Sequence, residues 1–269
     1  MTTPIQKRWK ITIEYDGRSY SGFQKQPDRT TVQGELEQAI AEFSRQKIPV
    51  TVAGRTDSGV HAKGQVAHFD LDYKMSNGQD KAISGFELAK AINFYLSPQP
   101  IAVIDAQIVD DDFHARFNAK NKLYTYRIMN RSYNLTLDSG FAWWKKKPLD
   151  IEAMNKAAKI LTGEHDFTTF RDTECQAKSP VRCVDKFWLA VTEILNGKEI
   201  LIHVEGQAFL HHQVRNMVGT LSLVGEGKWT PEDVQTALEA KDRKAGGPTA
   251  PSDGLYLMRV DYDHNNNKV

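Results

Sequence analysis

Lys186-Phe187-Trp188-Leu189-Ala190-Val191-Thr192-Glu193-Ile194-Leu195, followed almost at once by Glu199-Ile200-Leu201-Ile202-His203-Val204-Glu205-Gly206, reads as two strands in succession. In the second, Ile200, Ile202 and Val204 fall on one face and His203 and Glu205 on the other, the period of a strand that buries one side. A helical stretch at 210–225 comes next, so strands and helices mix without strict alternation. That pattern favours an α+β architecture over a doubly wound parallel sheet.

The same reading extends outward from this stretch. The 210–225 helix carries Leu210, Val214, Met217, Val218, Leu221 and Val224 on one stripe. His211, Arg215, Gly219 and Ser222 form a polar strip opposite, which suits either a solvated face or one turned toward a cleft. Thr230-Pro231-Glu232-Asp233 is a helix start, with a cap, a proline at the first position and acids in the first turn. A short strand at 255–261 and a polar tail from His264 to Lys268 close the chain. Upstream, 122–129 alternates as a strand, and Asp150 caps a helix striped by Ile151, Met154, Ala158 and Leu161.

The N-terminal half repeats this element content without a short-period repeat. Ile11, Ile13 and Tyr15 alternate with Lys10, Thr12 and Glu14 in a strand ended by Asp16-Gly17. A helix over 31–45 follows, capped by Thr30 or Thr31, with Thr30-x-x-Gln33 matching a capping box. Strands are expected at 48–53, 65–71 and 101–109, and a helix at 85–96. The acidic run Asp110-Asp111-Asp112 marks a seam between domains at 1–112 and 113–269.

Composition sets the outer bounds. The 269 residues suit about two domains. With 40% apolar and 26% charged residues the chain is an ordinary globular protein rather than a disordered one. Lys and Arg number 35 and Asp and Glu 34, which leaves a net charge of +1. That excludes a histone-like basic protein but not a local basic groove. Cys175 and Cys183 are the only cysteines, fit a reducing compartment and lack metal-ligand spacing, so they read as two ordinary thiols. Residues Met1 to Arg8 lack the apolar stretch of a signal peptide, and no apolar run reaches the ~20 residues of a membrane span. A cytoplasmic protein with no membrane association is expected.

The chemistry concentrates in one loop, Gly54-Arg55-Thr56-Asp57-Ser58-Gly59-Val60-His61-Ala62-Lys63-Gly64. Its three glycines suit a tight loop where backbone approaches a ligand, although a polar connector with turn residues has the same composition. It fits neither dinucleotide nor P-loop spacing. Asp57 and His61 stand at i and i+4 but lack a third metal ligand nearby, and the Ser-His-Asp residue types lack a nucleophile-elbow spacing. What remains is one carboxylate beside a cation on a rigid turn, able to stay ionised and act as nucleophile or base.

Ala53-Gly54-Arg55-Thr56-Asp57-Ser58-Gly59-Val60-His61 closely resembles the signature loop of the tRNA pseudouridine synthase A (TruA) family. The resemblance runs through nearly the whole chain: Ile13-Glu14-Tyr15-Asp16-Gly17, Thr31-Val32-Gln33, Asp112-Phe113-His114-Ala115-Arg116-Phe117, Tyr124-x-Tyr126, His212-Gln213-Val214-Arg215-Asn216-Met217-Val218-Gly219 and Gly254-Leu255-Tyr256-Leu257. One departure is Phe23 in Ser21-Gly22-Phe23-Gln24, where many members have Trp; it keeps an aromatic platform.

The resemblance implies two related RRM-like, ferredoxin-like α+β domains with mainly antiparallel sheets meeting at a central active-site cleft. It implies an isomerase that detaches uracil from ribose C1′, turns it and rejoins it through C5, with no metal and no cofactor. Asp57 is then the catalytic residue, and Arg215 pairs with its charge and helps displace the target base. Tyr124 stacks on the uracil and offers its hydroxyl to the C5 proton, whereas Tyr126, on the same strand face, is the better candidate for packing. Arg55 contacts RNA, and His61, His211 and His212 are minor candidates for phosphate contact or loop support. From His114 to Arg127 the chain holds Arg116, Lys120, Lys122 and Arg127 and no acid. With Lys145-Lys146-Lys147, Lys178 and Arg182 these suit a phosphate-binding groove. The implied partner is the anticodon stem-loop of tRNA, at tRNA positions 38–40, bound by a homodimer with the target base flipped out. A synthase with other RNA targets and a non-catalytic RNA-binding module are the alternatives.

Overall fold

The computed structural model describes residues 7–72 and 83–263. The tail from His264 to Lys268 and the first six residues lie outside that range. The chain divides into two compact units. The first runs to Lys120 and takes up the chain again from Leu257; the second is Asn121–Tyr256. The acidic run at 110–112 falls inside the first unit.

The first unit holds β1 (Lys7–Tyr15), α1 (Val32–Ser44), β2 (Thr51–Val52), β3 (His61–Leu71), α2 (Gly85–Leu96) and β4 (Ile101–Val109). β1 pairs antiparallel with β3 on one side and β4 on the other, so that Ile11 faces Ala67 and Ala106. The alternation read from the sequence sends Trp9, Ile11, Ile13 and Tyr15 into a core shared with Leu36 and Ile40 of α1 and Leu88 and Ile92 of α2. Each such side chain contributes about 1.5–3 kcal/mol by leaving water.

Two local expectations are corrected here. Of the two candidates it is Thr31 that caps α1, its hydroxyl accepting the Gly34 N–H; the box and one strand length differ. Gln33 makes no capping box: its Oε1 accepts the Lys25 N–H, and its Nε2 donates to Glu37 Oε1 and the Val50 carbonyl. The strand expected at 48–53 shrinks to Thr51–Val52, because the Val50 N–H is taken by the Glu37 carboxylate instead of a neighbouring strand. β3, by contrast, starts four residues early at His61, where Ala62 pairs with Tyr15.

The second unit holds β5 (Asn121–Arg131), β6 (Trp143–Lys145), α3 (Ile151–Ile160), β7 (Gly163–Asp166), β8 (Val181–Val184), β9 (Lys186–Ile194), β10 (Gly197–Gly206), α4 (Gln213–Gly225) and α5 (Pro231–Ala240). β5, β10 and β9 run antiparallel in that order; β6 lies parallel to β5, and β7 pairs antiparallel with β8. The two successive strands expected from 186–206 pair with each other, with Ile202 facing Tyr126 and Leu189. Asp150 caps α3 through the Ala153 N–H, and Thr230 and Asp233 close a reciprocal capping box on α5.

The polar strip of α4 divides: His211 is exposed and Arg215 half-buried, whereas Gly219 and Ser222 are buried. Asn216, Gly219 and Thr220 are buried beneath residues 246–250 of the same unit. Thr249 Oγ1 donates to Asn216 Oδ1 at 2.6 Å, the Gly247 N–H donates to Thr220 Oγ1 at 3.0 Å, and the Pro248 carbonyl would lie 1.7 Å from a Cβ at Gly219. Small and hydroxylic residues on this face are there to admit a backbone strap.

The chain finishes with β11 (Leu255–Asp261), which lies next to β3 in the first unit, where the Lys120 N–H donates to the Asp261 carbonyl. Both units are α+β with mainly antiparallel strands. Cys175 and Cys183 are free thiols. Among the described residues no helix is long and apolar enough to cross a membrane.

Candidate active site

Asp57 sits at the head of a short turn between β2 and β3, half-buried, with its carbonyl accepting the Val60 N–H at 3.1 Å. The turn is held from one side by residues 15–23. Phe23 N–H donates to the Thr56 carbonyl, and Ser58 Oγ and Gly59 N–H both donate to the Tyr20 carbonyl. Tyr15 and Thr56 share a buried hydroxyl–hydroxyl bond of 2.7 Å, and burial, against the hydrogen bonds to Thr56 and Gln65, pushes the phenol up to about 12. At every pH the protein meets, that hydroxyl stays protonated. On the other side Gln65 Nε2 donates to the Gly54 carbonyl. The peptides on both sides of Asp57 are therefore fixed, which is what a positioned carboxylate requires.

Gly17 makes the closest approach in this assembly. A Cβ there would lie 2.0 Å from the Val60 carbonyl oxygen, so the backbones of the two segments touch directly. His61, expected as a minor RNA contact, is 2% exposed, and its Nδ1 accepts the Gly17 N–H at 3.2 Å. It supports the turn from beneath. Asp16 lies 3.2 Å from the same Nδ1 and grips Arg18; despite the opposing effect of burial, the bonds to Arg18 hold its carboxyl below the usual range. Phe23 is fully buried against Tyr15, at 6.1 Å between ring centres, so it is a core residue rather than an aromatic platform. Arg55, beside Asp57, is exposed.

Arg116 and Lys120 are also exposed and belong to the segment after β4. Lys120 Nζ meets Asp263 at 3.0 Å. The segment is anchored over β1 and β3: Phe113 is buried edge-on to His68, and the Ala115 N–H donates to His68 Nδ1 at 3.1 Å. Arg8 holds Asp70 with a two-point bond and donates to the carbonyls of Asp111 and Phe113. Because Nδ1 accepts a hydrogen bond, the anchored state needs a neutral imidazole. Burial, then His114 and Arg8, lower the His68 pKa to about 4 against the opposing pull of Asp70.

The unfolded imidazole titrates near 6.5, so between about pH 6.5 and 4 the unfolded chain binds more protons and stability falls as pH falls. The loss at pH 4 is expected to be on the order of 3 kcal/mol. Urea unfolding of wild type and of His68→Asn, whose amide oxygen keeps an acceptor that does not titrate, checks this. The same pH dependence in both proteins would refute it.

In the second unit Tyr124 lies on β5, 8% exposed, its ring edge-on to Phe209 at 5.4 Å. Tyr126, two residues on, is fully buried; its hydroxyl donates to the Pro251 carbonyl at 2.8 Å and burial raises its pKa strongly. The packing role foreseen for it is the one it has. Arg215 lies in the first turn of α4, half-buried, with Nε donating to the Ala250 carbonyl and its own carbonyl accepting the Ala250 N–H. The strap over α4 thus aims the guanidinium. Lys122 is buried, and its ammonium donates to the Gln207 carbonyl at 2.7 Å, whereas Arg127 and Lys145 stand in ion pairs with Asp138, Glu199 and Glu226. Their charges hold structure together rather than lining a groove.

His212 adopts a left-handed conformation at φ 59° just before α4, and its Nδ1 meets Asp172 at 2.6 Å. His211 stacks beside it at 4.0 Å. Burial opposes the ionised Asp172, but the Glu174 N–H and His212 outweigh it and lower its pKa. Sequence reading assigned no role to three supports of these elements: Asp172, the 246–250 strap and Gly17. Only Gly17 carried a signal, as the end of a strand.

The sequence model of the tRNA pseudouridine synthase family matches residues 11–118 and 157–263, spans that include Arg55, Asp57, His61, Arg116 and Arg215. The tRNA pseudouridine synthase A of Rhodospirillum rubrum is 51% identical over 253 residues, which cover 94% of this chain and 87% of that protein. The enzyme of the same name from Paramagnetospirillum magneticum is 49% identical over 263 residues, 97% of each chain. That of Rhizobium meliloti is 48% identical over 257 residues, 95% of this chain and 99% of its own. Likeness of this extent, running through the turn that fixes Asp57 and the helix that carries Arg215, makes the chain a member of the tRNA pseudouridine synthase family.

Proposed function

We propose that this protein isomerises uridine to pseudouridine in the anticodon stem-loop of tRNA, at tRNA positions 38–40, with Asp57 as the catalytic carboxylate. The observation that carries this reading is the doubly braced turn that holds Asp57, in a chain so similar along its length to enzymes called tRNA pseudouridine synthase A. The reaction breaks the C1′–N1 bond and forms C1′–C5; C5 loses its proton and N1 gains one, so no oxidant, reductant or second substrate is needed. An ionised carboxylate can serve by attacking C1′, by adding to the base or by removing a ribose proton. Each role needs Asp57 unprotonated and held still.

Tyr124 and Arg215 act on the same uridine. The Tyr124 ring stacks on the uracil and its hydroxyl receives the C5 proton while giving up its own, a relay that leaves the phenol neutral, and Arg215 helps displace the target base from its stack. Arg55, Arg116 and Lys120 contact phosphates, with His61 as a support for the loop rather than a ligand. Two domains at 1–112 and 113–269 and a homodimer working in the cytoplasm belong to the same proposal.

Mapping pseudouridine in unmodified tRNA transcripts after incubation with the protein tests the reading. Modification at tRNA positions 38–40 is the expected result. Modification elsewhere would move the target, and tRNA binding without any modification would leave an RNA-binding module. Three exposed cations on phosphates should also make log affinity fall with log salt at a slope of about −2 to −3; affinity indifferent to salt would refute the phosphate contacts.

A further inference from the structure

Phe117 is 74% exposed, yet it is not a loose surface residue. Its ring lies 4.3 Å from that of His114, tilted by 32°, and the Arg116 guanidinium stands 5.8 Å from the ring centre. The backbone under it is fixed. His114 Nδ1 accepts the N–H groups of both Arg116 and Phe117, and the Asn118 N–H donates to the His114 carbonyl. Ala115 is bound at both ends of its peptide unit, its N–H on His68 and its carbonyl on the Tyr262 hydroxyl at 2.7 Å. A segment so tethered holds an aromatic ring in water beside a cation.

We propose that Phe117, flanked by Arg116, is a stacking platform for an unpaired nucleobase of the bound RNA, a contact separate from the flipped target uridine. Base stacking on exposed aromatics is tolerant of sequence and is reinforced by arginine, and RNA is read largely through unpaired bases. Charge complementarity favours this occupant: no acidic residue occurs from His114 to Arg127, and Arg116 is exposed beside the ring. The fixed backbone means that little order has to be created on binding. The inference rests on the tRNA reading above and deepens it.

Fluorescence anisotropy with a labelled tRNA transcript, repeated from about 50 to 200 mM salt, tests the platform with Phe117→Ala, Phe117→Trp and Arg116→Ala. Phe117→Ala is expected to weaken tRNA binding at least about fivefold and raise KM, with kcat and the salt slope unchanged. Phe117→Trp should restore affinity to within about twofold, and Arg116→Ala should reduce the salt slope by about one. Affinity of Phe117→Ala equal to that of wild type, a tryptophan that fails to restore it, or a changed salt slope would each overturn the platform. So would a change of oligomeric mass with tRNA affinity intact, which would make Phe117 a protein contact. Wild-type turnover separates this from the parent reading: tRNA binding lost on Phe117→Ala in a protein that forms no pseudouridine would keep the platform and remove the enzyme.

Discussion

Asp57→Asn is expected to lower pseudouridine formation by at least about a thousandfold while tRNA affinity stays within about twofold of wild type. The two halves of that expectation come from different atoms. The turn is built by main-chain groups, with Thr56 and Asp57 carbonyls accepting from Phe23 and Val60, and asparagine keeps the same backbone and nearly the same shape. Only the negative charge is removed. An amide is neither an anionic nucleophile nor a base, so every route open to the carboxylate closes together. Single-turnover release of tritium from C5-labelled tRNA measures the rate, and filter binding measures the affinity. Full turnover in the variant would remove Asp57 from the chemistry. Lost binding would mean that the charge helps hold the RNA.

Gly219→Ala is expected to destabilise the protein by about 3 kcal/mol or more and to lower its melting temperature by about 6–12 °C. Helix propensity alone predicts the opposite, since alanine in place of a helical glycine stabilises by roughly 1 kcal/mol. Packing decides the sign. The new Cβ would lie 1.7 Å from the Pro248 carbonyl oxygen and 2.8 Å from its carbon, and these are backbone atoms that cannot swing aside. Moving the strap strains the Gly247–Thr220 bond and both Ala250–Arg215 bonds. Arg215 would lose its anchor, so turnover should fall even at temperatures where the variant stays folded. Ser222→Ala is the control: it deletes a buried hydroxyl that donates to the Gly219 carbonyl and introduces no clash, at a cost of about 1 kcal/mol. Equal melting temperatures for Gly219→Ala and wild type would show that the strap yields freely.

What the sequence revealed and what it hid divide along a physical line. Periodicity reports which face of an element is buried, so β1, β5, β10, α2 and α3 were legible within a residue or two. Periodicity is silent about what covers a face. The polar strip of α4 therefore suited a solvated face and a cleft alike, although a backbone strap lies on its Gly219. Asp57 stood out through the likeness of its loop to the TruA signature, since residue types alone fit a polar connector as well. The braces of that loop did not, because main-chain bonds such as Phe23 to Thr56 leave no mark on side-chain pattern. Phe23 and Lys122 mislead for a related reason: an aromatic and a cation look functional by type, while burial assigns both to structure. The short strands β6, β7 and β8 carry too few residues for any period to show.

The first unit is a discontinuous body in the chain, since residues 121–256 are made between its body and the β11 strand that completes it. Synthesis therefore imposes an order: the second unit has all its residues while the first still waits for one strand. Until β11 arrives, the edge of β3 is paired only along the short β2 and the Lys120 N–H lacks the Asp261 carbonyl, which lies far along the chain. Closing so long an interval is a late and slow event, because non-local pairings are formed only after the loop entropy has been overcome. Asp57 is carried by this late-closing body, and in the nascent protein its turn adjoins a sheet that is still incomplete. The turn that bears Asp57 thus rests on a sheet that is whole only once residues 255–261 have been made.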